Sequence, residues 1–458
     1  MWNALQNCFK IPELRKRILI TIGIIALCRL AQNIPCPGLD PTNLNKLFEQ
    51  LKSQGGAGDV VGLIDVFSGG ALRRFAVAAL GIMPYITMSI IIQVLSPVLP
   101  ALEKLKREGE SGHQKITQMT RIGTLVICVI QGGMLAMSME NPNALFGTSV
   151  EGIVINPGWG FRIMTVLILT AGTVILMWLG ERISDAGVGN GASLIITIGI
   201  IEGLPTAFET IKQMYLGDST FTILHLLLLV AFFLLVTAAV VNLTLGQRRV
   251  ALQFARTTAG RRGNGPAQRE NSFIPLRVNY ANVMPIIFGQ ALLMFPPILI
   301  GAIAKKWSGI SVIAPLFDYG STPYMVIYGA LLIGFTFFWV ANQFNPLQIA
   351  DDLKRQGAYI PGIRPGQATS DFLDNTMTRV TTIGAVYLTV VALLPIIVTQ
   401  QFEMNQLVAS YFGGASLLII AGVLLDTIQQ VESHLLTHRY DGFLSRGQLR
   451  SRRGGQNV

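Results

Sequence analysis

The sequence predicts an all-α integral membrane protein with ten transmembrane helices, and three observations carry that prediction. Of 458 residues, 51% are hydrophobic and only 13% charged, with a mean hydropathy of +0.52. The apolar residues gather in runs of about 20, the length a helix needs to cross a bilayer core at ~1.5 Å per residue. Lys and Arg, which bring the net charge to +10, collect in alternate connections between those runs. A single soluble core cannot hide such a composition. The 47 glycines and 21 prolines suit membrane helices, which tolerate both when neighbours satisfy the freed backbone groups.

The first apolar run, 18–38, follows Lys10, Arg15, Lys16 and Arg17, a start that imitates a signal peptide. No small-x-small cleavage pattern follows it, so a retained first helix is expected. The stretch Asp65 to Leu102 comes next and organises the chain. Its half-polar prefix carries Asp65, Arg73 and Arg74, each costing roughly 2.5–3.5 kcal/mol at mid-bilayer, and so needs water or protein around it. The prefix feeds into a span at 75–98, in which Gly81 and Pro84 predict a bend within the helix. Further spans are predicted at 117–138, 161–181, 191–207, 222–243, 281–302, 324–344, 380–400 and 411–431. The fifth is short and is expected to end at Glu202-Gly203-Leu204-Pro205.

Ten spans divide at the 203–221 connection into halves of five, residues 1–207 and 208–458. An odd number per half reverses the topology of the second, which is the arrangement of inverted repeats. The N-terminus, the loops 99–121, 244–279 and 345–379, and the tail from Arg439 to Arg453 are basic, whereas 139–160 and 401–410 hold no Lys or Arg. The positive-inside rule therefore places both termini and the two large loops in the cytoplasm.

Catalytic and metal-binding constellations are missing from the pattern. Cys8, Cys28, Cys36 and Cys128 lack metal-ligand or disulfide-framework spacing. His113, His225, His434 and His438 have no ligand partners at useful spacing, and there is no phosphate-binding glycine loop. No enzyme activity, metal or cofactor is expected. Charges inside the spans are few, among them Arg29, His225 and Asp426.

Two loops carry recognition chemistry. Arg248, Arg249, Arg256, Arg261, Arg262, Arg269 and Arg277 face a single acid, Glu270, in the Gln247–Arg277 connection. That charge fits either a solvated positive-inside loop or a docking surface for ribosomal RNA or an acidic protein. In the next large loop, Pro361-Gly362-Ile363-Arg364-Pro365-Gly366 forms a stiff double turn with one arginine at its tip. Asn345-Pro346 begins a helix upstream of it.

Aliphatic side chains four apart recur near glycines and prolines. Ile82 and Ile86 follow Gly81, Ala192 and Ile196 follow Gly189-Asn190-Gly191, Val283 and Ile287 flank Pro285, and Ala415 and Ile419 follow Gly413-Gly414. Singly, each pair reads as core packing. Together they form a candidate collar where four helices meet.

FSGGALRRFAVAALGIMPYITMSIIIQVL, REGESGHQKITQMTRIGTL, GVGNGASLII, PLRVNYANVMP, FNPLQIADDLKRQGAYIPGIRPG and YFGGASLLI follow, in order and spacing, the pattern of the bacterial SecY family, which the chain resembles over nearly its whole length. The resemblance implies two inverted five-helix halves around a central hourglass pore with a plug helix, passing unfolded polypeptides across the bacterial inner membrane and releasing transmembrane segments laterally into lipid. It implies a plug at Asp65, Val66, Phe67, Ser68, Gly69, Gly70, Ala71, Leu72 and Arg73. It implies a pore ring of Ile82, Ile86, Ala192, Ile196, Ile287 and Ile419, where Ala192 is smaller than the usual ring residue, and a lateral gate with Thr87, Gln93, Thr120 and Asn282 along its seam. Docking falls to Arg248, Arg249, Arg256, Arg261, Arg262 and Arg364. The partners implied are SecE and SecG subunits, the SecA motor, the ribosome through its RNA and proteins, substrates with signal sequences, and membrane lipid. The rival reading from the residues is a secondary transporter with inverted repeats, which would need midplane carboxylates or cation-coordinating groups.

Overall fold

The structure is a computed structural model that describes residues 11–54, 62, 65–142, 150, 152–217, 223–254, 272–304, 314–317, 320–402 and 414–453. In chain order its helices are α1 (Pro12–Asn33), α2 (Pro41–Gln54), α3 (Met83–Leu95), α4 (Pro100–Arg107), α5 (Glu110–Glu140), α6 (Trp159–Ala186), α7 (Gly191–Gly217) and α8 (Ile223–Leu245). Strands β1 (Gln247–Ala251), β2 (Gln253–Phe254) and β3 (Phe273–Arg277) follow, then α9 (Met284–Ala304), α10 (Thr322–Gln343), α11 (Pro346–Gln356), β4 (Ala358–Tyr359), α12 (Gln367–Phe402) and α13 (Gly414–Arg453).

Helices stand at all ten predicted spans. Among the described residues seven are long and apolar enough to cross a membrane, and α3 with α4, bent by 101° at their junction, makes an eighth. Helices α1 and α9 occupy the other two places. Proline sets several starts, because its missing N–H falls where a helix has no partner for one. It occupies the first turn of α1, α3, α4, α10 and α11. Ser321 caps α10 by accepting from the Tyr324 N–H at 3.2 Å, and Asn345 caps α11 by accepting from the Gln348 N–H at 3.2 Å.

Two spans differ from expectation. Pro84 does not bend a long helix: α3 begins at Met83, with Ile82 as its N-cap and Pro84 in its first turn. Thirteen residues reach only ~20 Å, short of a bilayer core of ~30 Å. Residues 71–82 ahead of it form consecutive turns, closed by Phe75 N–H to Leu72 O, Ala79 N–H to Ala76 O and Gly81 N–H to Ala78 O, each 2.9 Å. Left-handed backbone at Phe75 (φ +44°) and Gly81 (φ +59°) prevents a continuous helix there. The second difference is α7, which continues past Pro205 to Gly217. A proline inside a helix removes one backbone donor, and here the Thr206 hydroxyl donates to Gly203 O at 2.7 Å beside it.

The chain separates into two compact units: Met1–Thr210 with Ile419–Val458, and Ile211–Leu418. In the first, α2 lays Leu44, Leu47 and Phe48 into a buried cluster with Phe75, Ile153 and Phe161, each large side chain stabilising by roughly 1.5–3 kcal/mol. The connection between α6 and α7 is tied from several helices. Arg17 donates to Gly187 O at 3.4 Å, the Val188 N–H to the Thr21 hydroxyl at 3.0 Å, and the Gly189 N–H to Gln430 Oε1 of α13 at 3.0 Å. In the second unit, Phe288 meets Trp339 edge-on at 5.2 Å. A Cβ on Gly289 would stand 3.1 Å from the Tyr328 ring, so α9 and α10 approach closely.

Candidate functional site

The candidate site builds outward from the half-polar prefix. Residues 65–68 form one helical turn. Gly69 (φ +68°) and Gly70 (φ +73°) then reverse the chain in a conformation that only glycine adopts without strain. Asp65 fastens the turn at both levels: its carbonyl accepts from the Gly70 N–H at 2.9 Å, and its carboxylate from the Arg73 N–H at 2.9 Å. The Ser68 hydroxyl accepts from the Leu72 N–H at 3.2 Å and donates to Asp65 O at 3.1 Å.

This turn seats against α7. A Cβ on Gly199 would lie 3.3 Å from both Phe67 O and Gly69 N, and one on Gly69 would lie 3.1 Å from the Gly199 Cα. The two glycines thus let backbone meet backbone. Beyond the turn, Val77 N–H donates to Ile34 O at 2.8 Å and Cys36 N–H to Phe75 O at 2.9 Å. Gly172 of α6 admits the Val77 carbonyl, which would stand 2.1 Å from any Cβ placed there. Irregular backbone at this depth is tolerable because protein surrounds it and its polar groups are paired.

Charges surround the seat. Arg29 pairs with Glu202 Oε2 and donates to Gln32 Oε1 at 2.8 Å. Arg74 lies 3.9 Å from Glu202 Oε1 and donates to Asn33 Oδ1, while Asn33 donates to Arg29 O at 2.9 Å. Arg29 is a charge within a predicted span, and no acid stands near it in the sequence to be its partner. The available signal was Glu202, an acid on another apolar run, since a charge at such depth requires an opposite one.

The collar residues are all closely packed or partly so. Ile82 and Ile196 are each 1% exposed, Ile287 3%, Ile86 8% and Ile419 0%, while Ala192 is half-buried. Ile82 and Ala192 are brought near one another in the first unit: a Cβ on Gly180 would meet Ile82 Cδ1 at 3.3 Å and Ala192 N at 3.6 Å. Ile287 belongs to the second unit.

Three of the seam residues, all in the first unit, bond locally. Thr87 donates to Met83 O at 2.9 Å, Thr120 to Ile116 O at 3.0 Å and Gln93 to the Ser89 hydroxyl at 3.1 Å, each within its own helix. Asn282 has left-handed backbone (φ +53°) at the entry to α9.

In the second unit the two arginine-bearing loops are paired, a contact that no motif in either loop predicts. β1 and β3 run antiparallel with Gln247 opposite Arg277, and β2 pairs β4 with Gln253 opposite Tyr359. The Tyr359 hydroxyl donates to Gln253 Oε1 at 3.2 Å. Arg248 and Arg249 are exposed, with the Arg249 guanidinium 4.8 Å above the Phe273 ring. Arg364 is exposed on a turn braced by Gly362 (φ +82°), Gly366 (φ +107°) and the Thr369 hydroxyl, which donates to Arg364 O at 2.9 Å. Arg256, Arg261 and Arg262 lie outside the described residues.

Comparison with known proteins is consistent across three kinds of match. The SecY family model matches residues 76–428. The chain is 40% identical to the protein translocase subunit SecY of Chlamydia trachomatis serovar D, over 98% of this chain and 99% of that one. It is 40% identical to the same-named subunit of Escherichia coli K12 (96% and 95% covered) and 42% identical to that of Haemophilus influenzae (96% and 95%). Two solved structures share the fold, each covering 94% of this chain and 96% of theirs at 14% identity. One is titled as a protein conducting channel (TM-score 0.62), the other as Sec61 in a canine ribosome-channel complex from the endoplasmic reticulum (TM-score 0.58).

Proposed function

This chain belongs to the SecY family, and from that premise we propose that the turn at Asp65–Arg73 is the plug of a protein-conducting channel whose ring includes Ile82, Ile86, Ala192, Ile196, Ile287 and Ile419. The chain is a multi-pass membrane protein and a protein translocase subunit, as its relatives are named. Unfolded polypeptide crosses through the channel, and apolar segments leave sideways into lipid.

One observation carries the site assignment: a glycine-rich turn is seated by backbone contact between Gly69 and Gly199, one helical turn beyond the buried Ile196. An aliphatic collar offers no donors or acceptors to replace an ion's hydration shell, so a narrow one excludes water and ions by dewetting. Its side chains still move apart for a peptide. Thr87, Gln93, Thr120 and Asn282 lie along a lateral gate in this reading, and the bonding of Thr87, Gln93 and Thr120 within their own helices suits a seam that must part, since polar contacts between membrane helices average only about 0.6 kcal/mol.

The exposed Arg248, Arg249 and Arg364, with Arg256, Arg261 and Arg262, form the docking surface for the SecA motor and the ribosome. SecE and SecG complete the channel. In this reading the channel sits in the bacterial cytoplasmic membrane with both termini cytoplasmic, which the basic N-terminus, loops and tail support. A secondary transporter reading asks for ion-coordinating groups at the collar, where this chain carries isoleucines.

The test is photo-crosslinking in reconstituted vesicles with probes at Ile82 and Ile287. A stalled secretory chain crosslinks to both when the collar lines the path. Crosslinks to neither, or to a small solute instead, would overturn the channel assignment of these residues.

A further inference from the structure

We propose that Glu202 is a positioning residue that latches the resting plug electrostatically, an inference that rests on the plug reading above. Glu202 stands on α7 one helical turn beyond Gly199, the residue on which the Gly69 backbone sits. Its two oxygens are divided between two arginines of different segments: Oε2 holds Arg29 of α1 and Oε1 faces Arg74 at 3.9 Å, at the C-terminal end of the plug turn. Arg29 is itself pressed onto the turn, because a Cβ on Gly69 would lie 2.5 Å from its Nη1. Asn33 closes the circuit, accepting from Arg74 and donating to the Arg29 carbonyl.

The consequence is a seat that cannot be left piecemeal. The Arg29 side chain is 19% exposed and Glu202 33%, so their pair is sheltered from solvent, whereas Arg74 at 50% is wet. Lifting the turn from Gly199 draws Arg74 from Glu202 and uncovers the Arg29 guanidinium above Gly69. A packing contact alone would be indifferent to ionic strength. A latch of this kind weakens with salt, mostly through its wetter arm.

The experiment uses the full chain reconstituted in vesicles, with Phe67→Cys on the half-buried face of the turn as a reporter and maleimide alkylation of the resting channel as the readout. The chain without the introduced cysteine, carrying Cys8→Ser, supplies the background; the cysteines among the described residues, Cys28, Cys36 and Cys128, are buried. Glu202→Gln is expected to raise the alkylation rate three- to tenfold and to make it insensitive to salt. The parent is slow at low salt and accelerates between 0.1 and ~1 M salt, where the screening length falls from about 10 to about 3 Å. Arg74→Gln, at an exposed position that leaves the Arg29 pair intact, gives an intermediate rate and serves if Glu202→Gln fails to insert. Equal rates in parent, Glu202→Gln and Arg74→Gln at both salt concentrations would overturn the latch. Ion conductance of a 65–72 deletion separates this from the plug reading. A leaking deletion with unchanged Glu202→Gln alkylation removes the latch and leaves the plug. A tight deletion with salt-dependent alkylation removes the plug and leaves the electrostatic seat.

Discussion

Gly191 faces the carbonyl of Gly180 so closely that a Cβ on Gly191 would stand 1.8 Å from that oxygen. The start of α7 is thereby pressed onto the last turns of α6, and the tied connection 187–190 is held between them. Gly191→Ala is expected to push α7 outward, at a cost of about 1–3 kcal/mol typical of overpacking. Thermal unfolding in detergent, compared with the parent, measures it, and an unchanged midpoint would show that the two helices separate freely.

Reversing the charge at Arg364 tests the docking surface. The arginine is exposed on a braced turn, so Arg364→Glu leaves folding intact while removing a charge-assisted contact worth roughly 1.5–3 kcal/mol. Motor-driven export in vesicles with purified SecA is expected to fall at least tenfold. Normal export would assign the turn a purely structural role.

Asn282 separates backbone from side-chain effects at the gate. Its φ of +53° is a conformation that glycine tolerates and a larger side chain does not. Asn282→Leu therefore combines loss of the amide with about 1–2 kcal/mol of backbone strain, and Asn282→Gly removes the amide alone. Both are expected to shift the signal-sequence hydrophobicity required for acceptance, measured across a graded series. A threshold unmoved by Asn282→Gly would leave the amide without a gating role.

The collar and the plug are expected to seal together. Cutting Ile82, Ile86, Ile287 and Ile419 back to Gly should raise the resting conductance of planar bilayers, and deleting residues 65–72 as well should raise it further. A quadruple variant as tight as the parent, with or without its plug, would reduce these isoleucines to core packing.

Asp40 supplies a pH test away from the membrane-spanning helices. The Thr42 backbone N–H, donating at 2.9 Å, and the Thr42 side chain hold its carboxyl below the ordinary value of 3.8. A lowered folded pKa gives stability that is complete above the ordinary value and lost as pH falls through the folded one. The stability difference between the parent and Asp40→Ala is therefore expected to stay constant from neutral pH down to about 4 and to shrink below it, as thermal scans across pH would show.

The spans were legible in the chain because hydropathy is local: a run such as 222–243 is apolar whatever it later touches, and α8 stands there. Basic loops, the Asn345 cap and the Pro-Gly turn around Arg364 were legible for the same reason, each depending on residues a few positions apart. Tertiary contact decided the rest. Pro84 is compatible with a kink or a helix start, and only the pairing of residues 34–36 with 75–77, admitted by Gly172, selects the start. β2 and β4 are two residues each, too short for any periodicity, and exist only because a strand from a loop about a hundred positions away lies beside them. Glu202 reads in the chain as the end of a span. It becomes the partner of Arg29 and Arg74 only when α1, α7 and the turn at 65–74 are packed together, because the sequence shows two opposite charges on apolar runs and not that segments 173 residues apart meet.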